Sequence, residues 1–191
     1  PGTPITINTQ SGADVITIGS LDATFTGDVN VNSGDGDDLI DTTASTSAVN
    51  VDAGDANDTV TIVTTSFQSV AGGAGTDTLS LSGSGATLDL TTIADNRIQD
   101  IEVIDITGSG DNTLTLNEQE VVNISSTSDT LLVRRNADDT VNIGAGWTQG
   151  ANQTIDSVVY EIFTQGAAVL GVQDFTPPTV TVAIFDASLS D

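Results

Sequence analysis

The chain has 191 residues, room for one good-sized domain, and sets 27 acidic residues against 3 basic ones for a formal net charge of -24. Such a surface repels nucleic acid and anionic lipid, so neither is an expected partner. The absence of Cys, His and Met excludes zinc, haem and thiolate chemistry and any triad that needs an imidazole.

The 37% hydrophobic fraction suffices for a core, but with 4% aromatic residues that core must be thin and built from Val, Ile, Leu and Ala. No apolar run approaches about 18 residues and no basic leader is present, so no membrane insertion and no signal peptide are read from this stretch. The missing initiator Met and the opening "PGTPITI" suggest a piece of a longer chain.

In chain order, residues 1–8 read as an incoming segment and first strand. Residues 9–82 then repeat a pattern, G-x-G-x-D-x-aliphatic with substitutions at the glycines. It occurs as "QSGADVI" (10–16), "GDGDDLI" (34–40), "GDANDTV" (54–60) and "GAGTDTL" (73–79). Seven residues before Asp14, Asp38, Asp58 and Asp77 sit Ile7, Val31, Val51 and Val70, and alternation resumes after each turn in "DVITI", "DLIDT", "DTVTI" and "DTLSL". Each unit therefore reads as strand, Gly/Asp turn, strand. A unit of about 20 residues makes one coil of a two-sided β-solenoid, whose stacked coils bury an aliphatic core that no single unit could bury.

Residues 83–142 read as longer, irregular coils with a loop carrying Arg97 and a short helical turn near "LTTIADNRI" (90–98). They hold weaker copies of the motif, "GSGDNTL" (108–114) and "RNADDTV" (135–141), in which Asn112 and Asp139 follow their aliphatics by one residue fewer. Residues 143–173 read as a terminal hairpin, "TIDSVVYEIF" pairing with "AAVLGV" across "TQG", which caps the stack with Trp147, Tyr160 and Phe163. The fold class is all-β: a parallel β-solenoid or β-roll over 1–142, with the Gly/Asp turns along one edge and a C-terminal β cap over 143–173.

Stacking the units superimposes their turns and lines up Asp14, Asp38, Asp58 and Asp77 at about one strand spacing, roughly 4.8 Å. An unneutralised row at that distance costs roughly 1–4 kcal/mol per adjacent pair, depending on the effective dielectric. A hard divalent cation between successive turns reverses the sign. Calcium fits because it accepts six to eight oxygens, carbonyls included, in flexible geometry, whereas magnesium demands a tighter octahedron. Glycines allow positive φ and turn carbonyls inward. The candidate ligands are Asp14, Asp38, Asp58 and Asp77 with the turn residues Gly34, Asp35, Gly36, Gly54, Asp55, Gly73 and Gly75. They would hold about three calcium ions between successive turns. On this reading Asp38 and Asp58 each face two ions, and Asp14 and Asp77 terminate the row.

These residues resemble the RTX calcium-binding repeat, G-G-x-G-x-D-x-aliphatic-x. "GGAGTDTLS" (72–80) matches it at every defined position, "SGDGDDLID" (33–41) lacks the first glycine, "AGDANDTVT" (53–61) lacks the first and third, and "TQSGADVIT" (9–17) departs further. RTX arrays repeat about every nine residues. The doubled spacing here implies calcium along one edge only, with "TASTSA" (43–48) and "VTTSFQS" (63–69) closing the other.

The stretches from 72 to 117 and from 139 to 173 are similar to segments of very large bacterial adhesins. "DFTPPTVTVAIFDASLSD" (174–191) looks like the linker and first strand of a bacterial Ig-like repeat. The resemblance implies a calcium-binding structural or adhesive module of a secreted or cell-surface protein, of the kind found in cell adhesion and biofilm. Its implied partners are calcium, neighbouring Ig-like repeats and a cell-surface glycan or protein.

Two other functions compete. Ice-binding solenoids present Thr and Asn rows, but Asp35/Asp37, Asp55/Asn57 and Ala74/Thr76 form none; a glycan-binding solenoid stays open. A polysaccharide lyase or epimerase would use an arginine base, which draws attention to Arg97, Arg134 and Arg135. No groove with a Lys, His or Tyr set is readable, and carboxylate pairs are too abundant to mark a glycosidase. The reading is a non-enzyme.

Overall fold

Apolar residues at every second position send the chain back and forth between two sheets. The computed structural model describes residues 2–64, 67–125 and 127–175. The Pro177-Pro178 junction and the strand read over 179–185 lie outside the described residues. In the first sheet Ile5–Asn8, Val29–Asp35, Val49–Asp55, Phe67–Ala74 and Ile98–Gln99 run side by side, all parallel. In the second, the strands that leave each turn, Val15–Thr17, Leu39–Asp41, Thr59–Ile62 and Thr78–Leu81, continue in parallel through Val103–Asp105 and Thr130–Arg134 to Ala168–Gln173.

The repeat spacing is the pairing register. Ile7, Val31, Val51, Val70 and Ile98 face one another in succession across the first sheet. Ile16, Ile40, Val60, Leu79, Ile104 and Val133 do the same across the second. All except the half-buried Ile7 are buried in one continuous cluster. Each fully buried Val, Ile or Leu contributes roughly 1.5–3 kcal/mol. The opposite face of the first sheet carries polar ladders, with Asn32 Nδ2 donating to Asn8 Oδ1 at 2.6 Å and Asn50 Nδ2 to Asn30 Oδ1 at 3.0 Å.

The remainder departs from simple parallel stacking. Val158–Gln165 pairs antiparallel with Ala168–Gln173, which is the expected hairpin, and also carries the short strands Thr148–Gln149 and Gln153–Ile155. The fold is thus all-β with mixed pairing. Tyr160 of this hairpin is buried, and Trp147 and Phe163 pack on the core.

A third parallel sheet, Thr87–Asp89, Thr113–Thr115 and Thr140–Asn142, was not legible, and it separates the copies at 108–114 and 135–141 from the first four. Beside the 3₁₀ turn Leu90–Thr92, the described residues hold one α-helix, Glu118–Ile124, within the stretch expected to form irregular solenoid coils. Its signals were local. Asn117 accepts from the N–H groups of Gln119 and Glu120, acids fill the first turn, and Val121 and Ile124 fall three residues apart on the buried side.

Many acids serve turns rather than the repeat. In the D-x-T triplets at 22–24, 41–43, 89–91 and 105–107, the aspartate Oδ1 accepts the backbone N–H two residues on. The threonine hydroxyl adds a second bond to Asp22, Asp89 and Asp105. This is the Asx turn. The Thr24 hydrogen bonds hold the Asp22 carboxyl below its ordinary range.

At the repeated turns the backbones of neighbouring strands meet. A Cβ on Gly54, at φ 108°, would run into the carbonyl oxygen of Gly34. Ala56 carries φ 91° where the neighbouring turns have Gly36 and Gly75. A non-glycine residue there costs about 1–3 kcal/mol. Ala56→Gly is therefore expected to raise stability by about 1 kcal/mol, and Gly54→Ala to lower it by more than that. Denaturant melts of the two variants check this.

Candidate metal centre

Strand register places the four motif aspartates in one row along the turn edge. Each row member follows a tight turn at a fixed offset, so parallel pairing on both sides of the turn leaves its carboxylate facing the next level. The bonds between levels repeat. The N–H of Asp14 donates to Asp38 Oδ1 at 2.8 Å, that of Asp38 to Asp58 Oδ1 at 2.7 Å, and that of Asp58 to Asp77 Oδ1 at 2.8 Å. Asp38, Asp58 and Asp77 are 3%, 1% and 1% exposed. The other oxygen, Oδ2, of Asp14, Asp38, Asp58 and Asp77 is buried with no hydrogen-bond partner.

Four consecutive orphaned carboxylate oxygens are a large unmet demand. Leaving one buried polar group unsatisfied costs roughly 1–3 kcal/mol, more when it is charged. Burial, with the neighbouring charges of Asp77, Asp38 and Asp37, pushes the Asp58 carboxyl up to about 6. Burial, with Glu102 and Asp100, pushes Asp77 up to about 6. In both, the backbone N–H bond to Oδ1 opposes the rise.

The row does not stop at Asp77, as the repeat pattern implied. The N–H of Asp77 donates to Glu102 Oε2 at 2.9 Å, so a glutamate outside any motif occupies the next level. Burial and the Asp100 charge raise the Glu102 carboxyl. Asp77 is thus an interior member rather than an end. Gly72 explains the close fit: a Cβ there would lie 2.7 Å from Asp77 Oδ2 and would collide with the Asp100 carbonyl oxygen. Two acceptors, a carboxylate oxygen and a carbonyl oxygen, converge on the space that this glycine leaves empty. Asp100 itself takes a left-handed φ of 53°.

The weaker motif copies act as an internal comparison. The N–H of Ala86 donates to Asn112 Oδ1 at 2.8 Å, and that of Asn112 to Asp139 Oδ1 at 2.7 Å, reproducing the ladder in the third sheet. There the second atom is satisfied. Asn112 Nδ2 donates to the Ile106 carbonyl at 3.0 Å, and Asp139 Oδ2 accepts from the Asn136 N–H at 2.6 Å. An amide supplies the donor that the aspartates of the first row lack.

The other expected ligands divide by position. Gly34, Gly54 and Gly73 stack in register at positive φ, and Gly36 and Gly75 are also at positive φ. Asp35 and Asp55 pair in register with exposed side chains, outside the buried row, and their carbonyls accept from Gly12 and Gly36 N–H. Among the described residues no point gathers three or more carboxylates. Any cation held here would therefore take carboxylates from adjacent levels together with backbone carbonyls. Such an all-oxygen set fits calcium rather than zinc or copper.

The chain matches no family model, no curated protein and no solved structure. Among the described residues no helix is long and apolar enough to cross a membrane.

Two outcomes follow. The folded carboxyls of Asp58 and Asp77 titrate near 6 against an ordinary 3.8, so the folded chain holds more protons than the unfolded one between those values. Their contribution without metal is greatest below about 3.8 and is lost as pH rises through about 6. Urea melts in EGTA from pH 4 to pH 8 are expected to show stability falling upward through that window. In addition, Asp58→Asn keeps the Oδ1 acceptor and supplies the missing donor. It is expected to stabilise the metal-free protein by about 1–3 kcal/mol at pH 7.5 and to flatten this pH dependence.

Proposed function

We propose that this chain is a calcium-dependent structural or adhesive module, a β-solenoid of the RTX type from a secreted or bacterial cell-surface protein. One observation carries the reading: four successive buried Oδ2 atoms, at Asp14, Asp38, Asp58 and Asp77, have no donor. Calcium between levels would take these oxygens together with turn carbonyls, from Asp14 through Glu102. Bound there, it would supply the positive charge that the row lacks. The chain's own contribution is the fixed spacing of the row, the glycine turns that bring backbones together, and the exclusion of water from Asp38, Asp58 and Asp77.

Two of the arginines support a structural rather than catalytic role. Arg97 donates through Nε and Nη2 to the carbonyls of Gln68 and Phe67, and lies over the Phe67 ring at 4.7 Å. Arg135 donates through Nε and Nη1 to the carbonyls of Gln173, Asn136 and Asp139. Both brace main-chain segments. With neighbouring Ig-like repeats as its covalent partners, the module would act as a spacer stiffened by calcium.

The test is calcium removal. At about 100 times its dissociation constant each independent ion adds roughly 2.7 kcal/mol, a large share of a domain's stability. Calcium is therefore expected to raise the melting temperature steeply, and EGTA to lower it and weaken the far-UV β signal. Asp38→Ala, Asp58→Ala and Asp77→Ala should each cost more calcium-dependent stability than Asp14→Ala, because Glu102 makes Asp77 interior. A melting temperature indifferent to EGTA would exclude the reading.

A further inference from the structure

Arg134 is the arginine to which the fold gives no structural task. Its Nε is buried without a hydrogen-bond partner, whereas Arg97 and Arg135 spend theirs on carbonyls. Its in-register neighbour, Asp105, uses Oδ1 to close the turn to Thr107. In a chain with 27 acids, a buried arginine Nε with no hydrogen-bond partner points to a site rather than a brace.

Arg134 lines a cleft of about 560 Å³ on the outer face of the second sheet. That volume lies in the range of small-molecule sites, roughly 300–1,000 Å³. Its floor is one register row, Thr78, Val103 and Leu132, with Thr130 and Arg134 on either side of Leu132 along the same strand and face. The hairpin turn at Asp156, held at φ 49°, closes the opposite side. Gly171 is in register with Leu132 and leaves room for it, since a Cβ there would lie 2.7 Å from Leu132 Cδ2. The cleft thus combines the apolar side chains of Val103 and Leu132, a set of hydroxyls, the carboxylates of Glu102 and Asp156, and one cation, Arg134, whose Nε has no partner.

We propose that this cleft binds a monosaccharide acid, a sugar unit bearing one carboxylate, with Arg134 taking the carboxylate. The guanidinium fork matches a carboxylate bidentately. The threonine hydroxyls and the Asp156 carboxylate match sugar hydroxyls, and the floor matches the ring's C–H face. The net charge of -24 disfavours a polyanion and leaves a single charged unit as the ligand. The cleft adjoins the aspartate row: Glu102 borders both, and Asn57, Thr76 and Thr78 flank Asp58 and Asp77, which is why binding is measured with and without calcium.

The test is isothermal titration of the folded protein, in calcium and again in EGTA, with methyl glucuronide, N-acetylneuraminic acid, methyl glucoside and an N-acetyl amino acid as probes. Saturable binding of a sugar acid is expected, with the neutral sugar and the amino acid much weaker. Arg134→Gln should lower sugar-acid affinity about tenfold or more. Thr78→Val, which keeps the floor's shape, should lower it less. Circular dichroism establishes that both variants fold. The proposal is overturned if no sugar acid saturates, if methyl glucoside binds as well as its acid, if the N-acetyl amino acid binds equally, or if Arg134→Gln leaves affinity unchanged. A dependence on calcium that persists in Arg134→Gln would assign binding to the metal row and also overturn it.

Discussion

A buried carboxylate oxygen that faces only acceptors has two ways to be stable: it takes a proton or it meets a cation. The rest of this structure is arranged around that choice. Parallel pairing in two sheets fixes the aspartates at strand spacing. Asp38, Asp58 and Asp77 each spend Oδ1 on the N–H of the preceding level, and all four aspartates leave Oδ2 with nothing. The carboxyls of Asp58 and Asp77, pushed up to about 6, show the strain that burial and like charge place on the row without metal. Calcium, on the proposed reading, resolves it without protonation at neutral pH.

The same ladder occurs twice with opposite endings, which makes the chemistry of the difference visible. Around Asn112 an amide donates to a carbonyl and the level closes by itself. Around Asp77 a carboxylate oxygen without a donor lies beside the Asp100 carbonyl oxygen in the space over Gly72. One turn architecture thus closes on itself in the third sheet and leaves a carboxylate oxygen unpaired along the first two. The thin aliphatic core adds stability in small, repeated increments, so the row weighs heavily in the total.

The sequence was most legible where one residue type recurs for one reason. The seven-residue offset from Val31 to Asp38 and from Val51 to Asp58 is a backbone constraint, and it appeared as the pairing register. The hairpin around Gly166 was legible because its strands alternate and its turn is short. Glu102 was not legible because its place in the row is set by three-dimensional register, while its local context, "DIEVID", carries no glycine turn. The helix Glu118–Ile124 was hidden because "TLTLNEQEVVNI" begins as a strand and its cap, Asn117, is one asparagine among many. The third sheet depends on where the chain leaves the second, at residues 83–86, and pattern alone does not specify that. Four of the 27 acids had a local cause in the D-x-T turns, a signal that the repeat overshadowed.

The central claim is that the orphaned oxygens belong to a cation. The most direct measurement is a crystal structure of calcium-saturated protein with anomalous differences recorded at long wavelength. The account predicts anomalous peaks within about 2.3–2.6 Å of Oδ2 of Asp38, Asp58 and Asp77, with carbonyl oxygens completing each shell. A map in which those oxygens meet only water or a protein donor, with no peak along the row, would contradict it.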